Sequence, residues 1–370
     1  MKSNRKILLL NPYYSNSKRT AANMRFEKLF ENLHLVTDQC TLVSSCTENP
    51  SWLKVKKTNL ILFQYSGSFF KRFIFYIYIT LFLLVNKFDI IFSEFNPLPL
   101  TALLSKNVWL QIHHIEGKNI SRRGNLKELF FRFYLRLYYL ISSFIDNYKI
   151  MTVSQQSTND IINLGIIRPK NADFVYNGVE ANLLRQYINF NLDISYYYYD
   201  VIYGGNFSPR KNVEMLIEAL SKIEKPLNVL LIGRDLGTKK RVHDKVLHEC
   251  KQHRFSFKQN LSNEELLECY SKSALFVTAS LHEGFGMPVV ESACLGIPVI
   301  CSDLPVFREL VPNAKFISAN DTDNLSNLII RCLDEFSSLK EDCLSISDQY
   351  LARYDWSLHS NQFINRIFSS

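Results

Sequence analysis

The residues able to do chemistry in this 370-residue chain gather in three short stretches. The densest is Ser280–Ser292, SLHEGFGMPVVES, in which Glu283 and Glu291 bracket a turn holding Gly284, Gly286 and Pro288. Carboxylates accept hydrogen bonds from sugar or ribose hydroxyls. A glycine turn that opens a helix gathers bare backbone N–H groups and a helix N-terminus, which hold an anion. A carboxylate pair beside a phosphate cradle suits a nucleotide sugar. The plain alternative is a surface turn with two solvated glutamates. The glycines argue against it, because glycine costs backbone entropy wherever no special conformation is needed. The second stretch, GGNFSPRKN, sets Gly205, Asn206, Arg210 and Lys211 between a strand and a helix. Cations at a helix N-terminus are unfavourable unless an anion joins them. The third is NVWLQIH, which delivers His113 and His114 to the C-terminal end of a strand, where open α/β sheets bind ligands. Either histidine alone is as well explained by capping that strand.

These residues need strands and helices to position them. Ala274 to Thr278 reads as a buried strand, and Val289 to Leu295 as a short helix closed by Gly296. Val201 to Gly205 is a strand feeding a helix with Val213, Leu216, Ile217 and Leu220 on one face. Further strands are expected at 6–10, 60–63, 89–93, 107–113, 149–154, 228–232, 255–257 and 298–301. Gly233 and Arg234 end the 228–232 strand. Helices are expected at 21–33 and 126–148 and over the last 20 residues, and Ser262 with Glu265 forms a capping box. Residues 177–200, polar and then tyrosine-rich, read as a hinge. Asp321-Thr322-Asp323 has the form of a metal-binding D-x-D but sits before a helix, where capping explains it better.

The EGFGMP run, with a second glutamate eight residues after the first, resembles the E-x7-E signature of retaining glycosyltransferases of the GT-B architecture, glycosyltransferase family four or glycosyl transferases group 1. The resemblance runs from about Tyr203 to Leu310, and more weakly from Val153 to Val179. It implies an α/β fold of two Rossmann-like domains facing each other across a cleft. Residues 1–180 would bind the acceptor, 181–350 the nucleotide sugar, and 351–370 would form a helix crossing back onto the first domain.

The implied reaction moves a sugar from a nucleotide-diphosphate sugar to a glycan acceptor with retention at the anomeric carbon. Lys211, Arg210 and the backbone from Gly286 to Pro288 would hold the departing diphosphate. Glu283 would bond donor-sugar hydroxyls, Glu291 ribose hydroxyls, and His113 or His114 would position sugar or acceptor. The catalytic set is Glu283, Lys211 and His113. Gly205, Asn206, Gly233, Gly284, Phe285 and Met287 would complete the donor site. No metal or cofactor is implied. Two positions depart from the family pattern: Asn206 stands where an arginine is usual, and the first loop lacks a Gly-Gly pair. They keep open a second reading, a non-catalytic nucleotide-sugar-binding scaffold in a biosynthetic complex.

Charge and hydropathy narrow the partners. Residues 1–180 hold 23 Lys/Arg against 12 Asp/Glu, so the chain's net charge of +8 comes from its first half. Without a nucleic-acid motif, that excess points to an anionic membrane or a lipid diphosphate. Phe69 to Val85 is apolar and aromatic but shorter than the roughly 20 residues of a membrane span. It reads as a core helix or as an interfacial helix flanked by Lys71 and Arg72. The basic loop GKNISRRG and the aromatic helix after it carry the same ambiguity. Eight cysteines without a C-x-x-C pair read as reduced core thiols of a cytoplasmic protein. The expectation is a cytoplasmic enzyme of bacterial-type surface polysaccharide (lipopolysaccharide or capsule) biosynthesis, using a lipid-linked acceptor and touching the inner membrane's cytoplasmic face through its first domain.

Overall fold

The computed structural model describes residues 2–14, 21–63, 69–94, 98–113, 138–139, 141–142, 144–190, 197–318 and 320–369. His114, the GKNISRRG loop and residues 126–137 of the expected aromatic helix lie outside them. The chain forms two compact units, Met1–Gly178 with Trp356–Ser370, and Val179–Asp355.

The first unit is built on strands β1 (Ser3–Asn11), β2 (Thr37–Ser44), β3 (Lys57–Leu62), β4 (Ile90–Ser93), β5 (Asn107–Gln111), β6 (Tyr148–Thr152) and β7 (Ala172–Phe174). They pair in parallel in the order β3-β2-β1-β4-β5-β6-β7. A parallel sheet is covered on both faces, so its inner strands carry apolar runs rather than an alternating pattern. On β1, Ile7 and Leu9 enter one core with Phe26, Phe30 and Phe92, while Leu8 and Leu10 enter the other with Phe75, Ile79 and Ile91. The C-terminal helix Trp356–Ser369 belongs to this unit: Phe363 lies edge-on to Phe30 and Phe92, with ring centroids 5.0 and 5.1 Å apart.

The helix Phe69–Val85 buries Phe75, Ile79 and Leu83 at four-residue spacing. Its other side exposes Phe73, Ile74, Ile77, Leu81, Leu84 and Val85. A core reading thus describes one face only.

The second unit repeats the plan with β8 (Tyr199–Gly204), β9 (Asn228–Ile232), β10 (Arg254–Lys258), β11 (Ser273–Thr278), β12 (Val299–Ser302) and β13 (Lys315–Ile317). Their order is β10-β9-β8-β11-β12-β13, again with parallel pairs. In each sheet the order reverses beside the first strand, at β1/β4 and at β8/β11. Doubly wound sheets hold ligands at such a switch point, beyond the carboxyl ends of the strands. Within this unit the first and last residues meet: the Val179 N–H donates to the Tyr354 carbonyl at 2.6 Å, and Val179 bridges Asp355. In the first unit Gly178 lies so close to Trp356 that an added Cβ would sit 2.5 Å from the indole.

Several expectations change. The stretch expected as an irregular hinge contains a helix, Ala181–Phe190, with Ala181 and Leu184 buried. β5 stops at Gln111, so His113 lies past the strand, and Tyr148 opens β6 instead of ending a helix. β2, β7 and β13 were not foreseen. The Ser262/Glu265 capping box is present, and Asp321 caps the Thr322–Asp334 helix by accepting from the Asn324 N–H at 3.0 Å. All eight cysteines are free thiols, and seven are buried.

Candidate functional site

The second unit's site begins where β8 and β9 end. Gly205 donates its N–H to the Ile232 carbonyl at 2.9 Å, and Gly233 sits against it. A Cβ on Gly233 would fall 1.9 Å from the Gly205 oxygen, so no side chain fits there. Asn206 serves this loop pair, its Oδ1 accepting from the Arg234 N–H at 3.4 Å.

The loop continues into a 3-10 turn, Pro209–Lys211, which carries both cations, and Asn212 follows in the left-handed region at φ 48°. The loop after β11 lies alongside, its Leu281 N–H bonding the Arg210 carbonyl at 2.8 Å. Glu283 is thereby set between the cations. Lys211 Nζ donates to its Oε1 at 2.5 Å, Arg210 Nη1 to its Oε2 at 2.7 Å, and Ser280 Oγ to Oε1 at 2.9 Å. Arg210 Nη1 also reaches the His282 carbonyl at 2.6 Å.

The Glu283 side chain is 7% exposed, Lys211 12% and Arg210 25%. Burial pushes the Glu283 carboxyl up, yet the charges and hydrogen bonds of Lys211 and Arg210 outweigh it and hold it below the usual carboxylate range. Beneath the cluster, burial and then the Glu283 charge raise the Tyr203 phenol, which stays neutral. Two cations and one anion leave a surplus positive charge, able to receive an anion at the switch point.

Past Glu283 the chain turns at Gly286, with φ 97°, and an added Cβ there would lie 2.5 Å from the Phe307 ring. Glycine is required on both counts. The helix Met287–Cys294 starts from this turn with Pro288 in its first turn, and Gly296 closes it at φ 65°. Phe285 is buried and lies edge-on to Tyr354 at 5.9 Å. Glu291 sits on the helix, where burial raises its carboxyl to about 7. The structure thus joins Arg210, Lys211 and Glu283 directly, while Glu291 takes no part in their hydrogen bonds.

In the first unit, His113 places its Nε2 3.5 Å from Glu94 Oε1, just after β4. Glu94 Oε2 accepts from Asn11 Nδ2 at 2.8 Å. Arg25, 1% exposed, donates to Asn177 Oδ1 at 2.8 Å, the Tyr176 carbonyl at 3.1 Å and Gln111 Oε1 at 3.3 Å. Burial lowers its guanidinium to about 9 against the opposing pull of Glu94. Sequence reasoning named His113 but missed Asn11, Arg25 and Glu94, as it missed Ser280. For Ser280 the S-x-x-E spacing was a usable local signal; the others meet only through sheet order.

Residues 188–343 match the family model described as glycosyl transferases group 1. That match decides the identity of the site-bearing region. Residues 188–343 form a group 1 glycosyltransferase domain. The domain contains Gly205, Arg210, Lys211, Gly233, Glu283 and Glu291, whereas Glu94 and His113 lie outside it.

Among curated relatives, the serotype-specific mannosyltransferase WbdA of Escherichia coli is 33% identical over 110 residues, 29% of this chain and 14% of WbdA. The O-antigen chain mannosyltransferase RfbU of Salmonella typhimurium is 25% identical over 235 residues, 62% of this chain and 61% of RfbU. The chain thus spans less than two thirds of either relative. The solved structure of Anabaena HepE in complex with UDP and glucose matches with a TM-score of 0.73 at 18% identity, covering 99% of this chain and 100% of HepE. At that identity the likeness concerns the fold. Around the group 1 domain, the chain as a whole has the GT-B fold of two parallel-sheet Rossmann-like units.

Proposed function

We propose that the chain is a retaining glycosyltransferase that moves a hexose from a nucleotide-diphosphate sugar to a lipid-linked glycan acceptor in bacterial-type surface polysaccharide biosynthesis. The observation that carries the reading is the Lys211–Glu283–Arg210 cluster at the switch point of the group 1 domain. The relatives' description as mannosyltransferases supports the hexose.

Departure of a nucleoside diphosphate builds negative charge, and preorganised donors aimed at that charge supply the largest catalytic term. Lys211 and Arg210 are such donors, joined by the N–H groups that open the Met287–Cys294 helix. Together they supply the positive charge without a metal or cofactor. The diphosphate takes Glu283's place as partner of the cations, which frees the carboxylate for sugar hydroxyls. Glu291 receives the ribose hydroxyls. His113, with His114, positions the sugar or acceptor, and the leaving phosphate takes the acceptor proton on the face it leaves from.

Membrane contact through the first unit belongs to the same proposal. The exposed side of Phe69–Val85 carries Phe73, Leu81 and Val85 at 54%, 58% and 82% exposure, and Leu100 and Leu104 lie exposed on the adjoining 3-10 turn. Exposed Lys71 stands in the first turn of this helix and exposed Lys87 just past its end. An apolar stripe with a lysine at each end suits an anionic bilayer surface, and a cytoplasmic enzyme would use it at the inner membrane's cytoplasmic face. The helix has 17 residues, about 25 Å, and no helix among the described residues is long and apolar enough to cross a membrane.

The scaffold reading keeps one observation in its favour: Asn206, where the family has an arginine, is engaged with the Arg234 backbone. One experiment tests both readings. Thermal-shift screening against nucleoside diphosphates and their sugars should give about 2.7 kcal/mol of stabilisation at a hundredfold excess over Kd. Incubating the stabilising sugar nucleotide with membrane lipid extract should yield a glycolipid. Stabilisation without product from any donor favours the scaffold, and no stabilisation by any of them rejects both.

A further inference from the structure

The first unit holds a second polar centre. Asn11 ends β1, Glu94 follows β4 and His113 follows β5, so all three stand at the carboxyl ends of neighbouring strands around the switch point. Arg25 adds a buried cation. Four buried atoms here have no hydrogen-bond partner: Asn11 Oδ1, Arg25 Nε, Glu94 Oε1 and His113 Nε2. The Glu94 side chain is only 7% exposed. Buried polar atoms are nearly always satisfied, and each one left open costs stability. Three of them, on Asn11, Glu94 and His113, belong to one linked group and mark a place where a ligand completes the bonding.

We infer that Glu94, with His113 beside it, forms a hydroxyl-binding subsite for the acceptor saccharide. The inference rests on the glycosyl-transfer reading. Glu94 Oε1 and His113 Nε2 face each other across 3.5 Å without a hydrogen bond. An oxygen about 2.8 Å from both completes a triangle on that edge. A hydroxyl suits the position, since it donates to the carboxylate and accepts from an imidazole N–H. An anionic group does not, because the carboxylate repels it, so the subsite takes the neutral sugar of an acceptor and not its phosphate. Asn11 Nδ2 holds the far carboxylate oxygen and fixes Glu94 Oε1 in place.

The test uses the whole chain without donor. Octyl glycosides of mannose, glucose, galactose and N-acetylglucosamine are screened by saturation-transfer difference NMR, and nucleoside diphosphate affinity is measured in parallel. The expected result is ring-proton saturation for at least one glycoside, with affinity falling about tenfold or more in Glu94→Gln. His113→Gln should weaken the same glycoside, and neither variant should change nucleotide affinity.

Absence of saturation for every glycoside in the wild type overturns the subsite. So does unchanged glycoside affinity in folded Glu94→Gln. Should Glu94→Gln lower Tm, Arg25→Met/Glu94→Gln removes the unpaired cation; glycoside binding retained by the double variant shows Glu94 to be only the counter-charge of Arg25, against the proposal. Glycoside binding without any nucleotide-sugar stabilisation sinks the transfer reading and keeps the subsite, and the converse result sinks the subsite alone.

Discussion

Replacing Glu283 with Gln removes one charge and almost no volume. Glutamine can still accept from two of the three donors, Lys211, Arg210 and Ser280. What disappears is the negative charge between two cations that are 12% and 25% exposed. Removing one partner of a buried pair costs roughly 3–5 kcal/mol. The retained hydrogen bonds and partial solvent access reduce this to about 2 kcal/mol. For a unit the size of Val179–Asp355, that corresponds to a Tm lower by about 4–8 °C.

The wild-type carboxyl titrates below its ordinary value, so its contribution is present above about pH 4.5 and is lost as the pH falls through the lower folded value. The variant's deficit should therefore shrink on acidification. A nucleoside diphosphate restores anionic charge to the cations, so its thermal shift should be larger in the variant than in the wild type. Transfer should still fall tenfold to about a hundredfold, because sugar hydroxyls lose a charged acceptor. Differential scanning fluorimetry at pH 4, 5.5 and 7, with and without nucleotide, reads each part. An unchanged Tm together with a smaller nucleotide shift would refute the idea that Glu283 holds the place of a diphosphate.

Lys211→Met should lower transfer at least about a hundredfold while the chain stays folded, as measured by product formation and circular dichroism. Glu291, with its carboxyl raised to about 7, favours the protonated fold, so stability should decline as the pH rises from about 4.5 to about 7. Glu291→Gln should flatten that slope, by at most about 3 kcal/mol in urea melts and by less where solvent reaches the group. Gly233→Ala has no room beside the Gly205 carbonyl and should cost several kcal/mol or prevent folding, as read by soluble yield and Tm. Ile77→Asp/Leu81→Asp should abolish co-sedimentation with phosphatidylglycerol vesicles and leave Tm nearly unchanged; binding that survives would remove the membrane role from this helix.

The group 1 site was legible because its signals are local. EGFGMP requires a positive-φ turn, and the neighbouring apolar runs could only be strand and helix. The limits of Phe69–Val85 were legible for the same reason, but which side faced solvent was not, since apolar residues fall on every side. Ala181–Phe190 went unseen because its polar residues mask a short apolar face. Glu94 was invisible as a site residue: Asn11 lies 83 positions away, and only the β1–β4 pairing brings them together. Arg210 was placed near the diphosphate as a stand-in for a missing arginine. Its bond to Glu283 depends on how two loops lie side by side, which no spacing encodes.

Val179 and Tyr354 meet through one hydrogen bond, and on the other side of the junction Gly178 abuts Trp356. The Val179–Asp355 unit is therefore inserted into the rest of the chain at one point, with entry and exit side by side. Cutting at these positions yields a 179–355 cassette whose ends already touch, and a host whose cut ends are equally near. Cassettes of the same topology are interchangeable without rethreading either sheet, so one unit can be exchanged among chains while the host is kept.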